Sequence, residues 1–189
     1  LPASKAFWED HLLFFRRAYY KYCNTKKCYY NTSVSRGYVT FADKSKSGEG
    51  FEKFRQVFAN KNLIVVEGCT AHNGVGNDLF SLASSVRRIV CPSSNAYRVR
   101  DRILEECLKF DKSNLFLVAL GVTAKALAEE LFLKGYRVID IGNLDMEYEW
   151  YLRKASQKEP LEKHKIVGVE ANKKAGYDEY LDQVVCYIE

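Results

Sequence analysis

Four short apolar runs, each stopped by turn chemistry, constrain the fold of this chain more than any other feature. Leu63–Val66 ends at Glu67-Gly68, Arg88–Cys91 at Pro92, Leu115–Leu120 at Gly121, and Tyr136–Ile141 at Gly142. Short runs rich in Val, Ile and Leu read as buried strands. Helix-forming stretches follow them: 78–88 behind a cap at Asn77 or Asp78, 96–110, a stretch capped near Thr123 and closed by Gly135, and 146–156 behind a cap at Asp145. In 96–110 the buried side is Val99, Ile103, Leu104 and Cys107. Strands alternating with helices over short loops run parallel. The predicted class is α/β, a Rossmann-like parallel sheet flanked by helices, with right-handed crossovers. All four strand ends then share one rim, the edge where open α/β sheets bind ligands.

At 189 residues the chain is read as one domain able to bury a real core. It divides into an aromatic-rich helical segment (1–34), a motif-bearing core (35–156) and a C-terminal extension of that core (157–189). No apolar run approaches the roughly 20 residues of a membrane span. The net charge of +5 is too mild and dispersed to argue for nucleic acid. None of the six cysteines forms a C-x-x-C pair, so reduced thiols and a cytoplasmic location are expected. The chain begins at Leu, without a signal-peptide layout, and is expected to be a fragment.

Ser4–Tyr22 has helical spacing, with Phe7, Trp8, Phe14, Phe15, Tyr19, Tyr20 and Tyr22 among Arg16, Arg17 and Lys21. This mixture can stack on single-stranded nucleic acid, but a broadly packed helix is the preferred reading. It carries more aromatic surface than one neighbour covers, which anticipates a homo-oligomer contact or a missing segment packed against it. A short strand is expected near Val34–Phe41, a loop over Lys44–Gly50 and a helix over Glu52–Ala59. Another strand is expected at Lys165–Val169, and a helix or strand over Tyr180–Ile188.

Two features of the rim carry chemistry. In VIDIGNLDMEYEW (Val138–Trp150) a strand ends at Gly142-Asn143, and Asp145, Glu147 and Glu149 follow at a helix start. The turn alone fits helix capping, with Asp145 as the cap, and metal or substrate binding equally well. The loop Gly74–Asp78 (GVGND) puts flexible backbone before the predicted helix, where N–H groups suit a phosphate. It is neither a dinucleotide fingerprint, with Leu79 in place of the last glycine, nor a Walker A loop. His11, His72 and His164 are read as surface or loop residues, His72 being notable for lying in the glycine loop. The residues thus describe a nucleotide- or phosphate-binding α/β protein. A D-x-E pair beside a diphosphate has a use in holding Mg²⁺ or Mn²⁺.

Taken together, VVEG with GVGNDLF, RIVCPSSNA, ALGVTA and IDIGNLDMEYEW resemble the GT-D fold glycosyltransferases, first grouped as a domain of unknown function. The similarity runs from about Ser35, where SRGYVTFADKS fits a family segment, to about Ser156. The resemblance implies a GT-D type fold and a metal-dependent glycosyltransferase working in the cytoplasm. It implies transfer from a nucleotide sugar, typically UDP-linked, to a glycan on a surface glycoprotein or polysaccharide. Its D-x-E motif falls on Asp145 and Glu147, as metal ligands and catalytic residues, and its acidic-glycine turn on Glu67 and Gly68. Glu67 would orient the sugar or act as a base. The nucleotide-sugar site would take in Gly68, Gly74, Val75, Gly76, Asn77, Asp78, Pro92, Asn95, Gly121, Thr123, Asp140 and Gly142. The chain departs from the family at His72, Val122 and Asn143, and no segment matches its N-terminal Phe-Gly-Asp-Gly-Glu motif. The alternatives are a Rossmann-type enzyme of another class, such as a methyltransferase or dehydrogenase, and a non-catalytic remnant that binds a nucleotide sugar or a partner.

Overall fold

The computed structural model describes residues 2–28, 33–164 and 176–189, with side chains from residue 5 onward. Its centre is a parallel sheet of five strands among the described residues: β1 Asn62–Gly68, β2 Ser85–Cys91, β3 Leu115–Ala119, β4 Arg137–Asp140 and β5 Val184–Tyr187. The order is β4-β3-β1-β2-β5. From β1 the chain moves to β2 on one side, then returns to β3 on the other. The connections therefore diverge between β1 and β3, which opens a crevice at their carboxyl ends.

β1 is buried along its length after Asn62, because both faces of the sheet are covered. Side chains alternate between the faces. Leu63, Val65, Leu115 and Leu117 pack beneath α2 (Ser47–Phe58) and α5 (Leu144–Leu152), against Phe58, Leu144 and Tyr148. Ile64, Val66, Phe116 and Val118 face α3 (Arg100–Cys107) and α4 (Thr123–Leu133), against Ile103, Leu127 and Leu131. Register sets Gly68 beside Cys91, Glu67 beside Ala119, and Val118 beside Asp140. Gly68 closes β1, and Pro92, Gly121 and Gly142 follow the ends of β2, β3 and β4, so the four lie on one rim, as expected.

Several local expectations give way to packing. The stretch 78–88 forms turns and then β2, not a helix. Its backbone is held from outside: Asn60 N–H donates to the Leu82 carbonyl and Ser84 N–H to that of Lys61. No strand forms over 33–41. The Tyr38 and Val39 amides donate to the Glu147 carboxylate at 3.0 and 2.8 Å instead of joining a ladder. The expected loop over 44–50 already contains the first turn of α2, despite Gly48 and Gly50. There the Ser47 hydroxyl anchors on the Gly37 carbonyl at 2.7 Å, and a Cβ at Gly48 would lie 2.7 Å from Tyr151 Oη. The helix expected over 96–110 divides into a 3₁₀ turn, Ala96–Val99, and α3. At the C-terminus both helix and strand form, as α6 (Tyr177–Gln183) and β5. The strand expected at 165–169 lies outside the described residues.

α1 (Pro2–Tyr22) leaves Phe7, Trp8, Phe14, Phe15, Tyr19, Tyr20 and Tyr22 exposed, Phe14 at 80%. These are the aromatic residues for which an oligomer contact or a missing segment is expected. All six cysteines are free thiols, and burial pushes Cys91 up to about 12, leaving it inert. No helix of the described residues is long and apolar enough to cross a membrane.

Candidate functional site

The rim above β1 and β3 carries a groove with two lobes. One, about 260 Å³, is lined by Arg36, Asn73, Lys125, Asp140, Asn143 and His164, among others. The second, about 370 Å³, is lined by Gly68, Pro92, Asn95, Tyr97, Val122 and Thr123, among others. Ala71, Ala119 and Gly121 line both, so the lobes meet where the connections diverge. Gly121 sits there at φ 55 with nothing within 4 Å of where its Cβ would be, which keeps the passage open.

Of the predicted nucleotide-sugar residues, Gly68, Pro92, Asn95, Gly121, Thr123, Asp140 and Gly142 line this groove. Gly74, Val75, Gly76, Asn77 and Asp78 do not. They line a separate cavity of about 510 Å³, together with Gly176, Tyr180 and Gln183. Without a helix behind it, the glycine loop presents no helix N-terminus. Gly74 N–H instead donates to Asp145 Oδ1 at 2.8 Å. At φ 77, Gly74 leaves its side-chain space to the Phe80 ring, 2.4 Å from a built Cβ. Gly74 thus serves packing.

The three predicted catalytic carboxylates, Glu67, Asp145 and Glu147, are all buried behind the groove wall. Asp145 does not cap α5. The cap position is Asn143, with no side-chain bond, and Asp145 lies in the first turn. Its Oδ1 accepts from Gly74 N–H, Asn77 Nδ2 and Lys163 Nζ, and its Oδ2 accepts from His164 Nε2 at 2.9 Å. Lys163 Nζ also lies 2.7 Å from Asp145 Oδ2 and donates to Glu149 Oε1 at 2.8 Å and the Val75 carbonyl at 3.0 Å. An ammonium is thus the cation of this oxygen cage. Burial alone would raise the Asp145 pKa, but the His164 hydrogen bond and the Lys163 charge outweigh it and hold it below 3.8.

Glu147 points elsewhere. Side chains two residues apart on a helix diverge by about 200°, and Glu147 reaches the Tyr38 and Val39 amides. The expected sharing of one Mg²⁺ or Mn²⁺ by Asp145 and Glu147 does not fit this geometry. Each carboxylate is occupied by different donors. Among the described residues, no group of three or more His, Cys, Asp or Glu side chains is assembled to hold a metal. Glu67 is not poised as a base either. Its Oε1 accepts from Arg88 Nη1 at 2.6 Å, and its Oε2 accepts from Asn73 N–H and Nδ2 at 2.8 and 2.6 Å.

What the carboxylates hold is the groove lining. Glu67 fixes Asn73, Asp145 fixes His164, and Glu147 fixes the turn that follows Arg36. Arg36, Lys125 and His164 were not predicted as site residues from sequence. Arg36 lay within the quoted SRGYV segment and Lys125 two residues after the expected cap at Thr123, so both carried a usable signal. His164 had none, because its role depends on Asp145. The wall offers positive charge from Arg36 and Lys125, the latter 2.6 Å from Asp140 Oδ2. It also offers an imidazole backed by a carboxylate, able to accept a proton on its other nitrogen.

His72, buried below the groove, donates from Nδ1 to the Lys163 carbonyl at 2.6 Å and packs on Tyr177 and Tyr180. Burial lowers its pKa below 6.5, against the opposing Lys163 carbonyl and Glu67. The neutral form is therefore favoured on folding, and its stabilisation is complete above pH 6.5 and lost as pH falls below it. Thermal melts at pH 7.5 and 5.5 are expected to show a larger loss for the wild type than for His72→Gln. Equal losses would contradict this.

The family model described as "Glycosyltransferase GT-D fold" matches residues 2–169. The chain is 42% identical over 144 residues to Glycosyltransferase GlyD of Streptococcus pneumoniae serotype 4 (strain ATCC BAA-334 / TIGR4), covering 76% of this chain and 18% of that protein. It is 42% identical over 155 residues to the probable glycosyl transferase Gly of Streptococcus gordonii, covering 82% and 23%. It therefore spans roughly a fifth of the length of these relatives. A solved structure described as showing that the domain of unknown function 1792 has a distinct glycosyltransferase fold superposes with TM-score 0.87 at 40% identity, covering 99% of this chain and 68% of that one. A glycosyltransferase of the same domain type from Streptococcus sanguinis does so with TM-score 0.87 at 36% identity, covering 99% and 71%.

Proposed function

This chain belongs to the GT-D fold glycosyltransferase family, and we propose that it transfers a sugar from a nucleotide diphosphate sugar, UDP-linked, to a glycan acceptor. The observation that carries the reading is the groove at the point of divergence between β1 and β3, with Arg36 and Lys125 in its wall. Family membership sets aside a Rossmann methyltransferase or dehydrogenase. The six free thiols are compatible with work in a reducing cytoplasm.

When the bond from sugar to phosphate breaks, the diphosphate gains negative charge. Fixed positive groups beside it stabilise that state more than the ground state. Lys125 stands in the first turn of α4, where the positive end of the helix dipole adds to its charge. Arg36 offers a planar fork suited to phosphate oxygens. Asn73 and Asn143 supply neutral hydrogen-bonding groups for sugar hydroxyls. His164, held through Asp145, is the group we assign to accept the proton of the attacking hydroxyl.

Release of UDP from UDP-sugars by the chain tests this. Lys125→Ala and Arg36→Ala are each expected to lower turnover roughly ten- to a hundred-fold, the worth of one charge-assisted hydrogen bond. Both side chains are exposed, so the melting temperature should stay within a degree or so of the wild type. Wild-type turnover in both variants would overturn the reading.

A further inference from the structure

Two features away from the rim are left uncovered among the described residues, and they complement each other. The first is an apolar groove of about 470 Å³ along α2. Val34 and Phe41 wall one side, and Lys46, Lys53, Phe54 and Val57 follow one face of α2 and its cap on the other. The opposite face of α2 carries Phe51 and Phe58 into the core, so the groove side is the one without a neighbour. Two glycines in the lining, Gly37 and Gly50, have nothing within 4 Å of where a Cβ would be. Gly50 lies inside a helix, where glycine costs stability, and its bare surface lets another backbone come close.

The second feature is α1, which contributes to none of the buried core clusters. Its rings form a ready-made ridge. His11 lies 5.7 Å from Phe7, 5.4 Å from Trp8 and 4.7 Å from Phe15, and shares a 3.0 Å hydrogen bond with Tyr19 Oη. A ridge ordered before docking loses little freedom on contact. We propose that α1 of one chain lies in the α2 groove of a second copy, which places its own α1 in the groove of the first. Such a reciprocal, two-fold exchange closes at two chains. Charge sets its direction. Lys46 and Lys53 make no ion pair among the described residues, and Asp43, the acidic residue of the lining, is turned to the Ser45 amide at 2.9 Å. Glu9 and Asp10, next to Phe7 and Trp8, supply the missing negative charge, whereas the Arg16, Arg17 and Lys21 end of α1 is repelled by the same lysines.

Sedimentation equilibrium of the full chain across the micromolar range tests this, with the mass expected to move from one chain to two. Val57→Asp, in the groove lining, and Trp8→Ala, on the ridge, are each expected to weaken association about ten-fold or more. Both side chains are exposed, so the melting temperature of the dilute, monomeric protein should not change. Asp10→Lys, and Lys46→Glu together with Lys53→Glu, should each weaken association several-fold. All three changes in one chain should restore it. A one-chain mass throughout would overturn the second copy as occupant, whether α1 then closes its own groove or binds anionic lipid vesicles instead. A dimer that neither Val57→Asp nor Trp8→Ala weakens, or charge reversals that fail to compensate, would overturn it as well.

Discussion

Asp145→Asn is expected to destabilise the chain by roughly 3–5 kcal/mol, the cost of removing one partner from a buried ion pair. Asp145 is fully buried and accepts from Gly74, Asn77, Lys163 and His164. An amide would turn an N–H₂ group toward donors and leave the Lys163 ammonium with Glu149 and the Val75 carbonyl alone. Because the folded pKa lies below 3.8, the carboxylate stabilises the fold fully above that value, and the contribution is lost as pH falls through the folded pKa. Chemical denaturation at pH 7 measures the effect. A capping carboxylate would make the opposite forecast, since asparagine caps a helix about as well as aspartate. A silent Asp145→Asn would therefore contradict the buried-strut role.

Arg88→Met is expected to cost a comparable amount, roughly 3–5 kcal/mol, by a different route. Glu67 and Arg88 sit on neighbouring strands, almost wholly buried, at 2.6 Å. Removing the guanidinium leaves the carboxylate with only Asn73, and strips Arg88 from Gln183 and from the face of Tyr180. α6 would lose part of its tie to β2. The double variant Glu67→Leu with Arg88→Met is expected to recover much of the loss, because no unpaired buried charge remains. A double-mutant cycle that finds the two losses additive would show that the pair does not couple.

The sheet and its rim were readable because each strand announces itself locally, through β-branched runs closed by Gly68, Pro92, Gly121 and Gly142. The turns at 78–84 were not readable in this way. DLFSLASS has a passable helical pattern, and what overrides it is distant: Asp145 and Glu149 hold Asn77, and Lys61 and Asn60 fix the far end. The carboxylates could be picked out as important, but not the direction in which they point. The divergence of Asp145 and Glu147 was in principle available, because residues two apart on a helix face opposite ways. His164 could not be read at all, because a histidine becomes a site residue only through the carboxylate that folding brings to it. The groove was legible in its backbone and hidden in its charges.

Amide hydrogen exchange with saturating UDP-sugar tests the location of the donor site most directly. Protection is expected at 69–73, 93–99, 119–125 and 140–146, the segments that line the two lobes. Protection confined to the cavity beside Gly74–Asp78 and Gly176, or to the apolar groove between Val34 and α2, would place the ligand elsewhere and contradict the assignment.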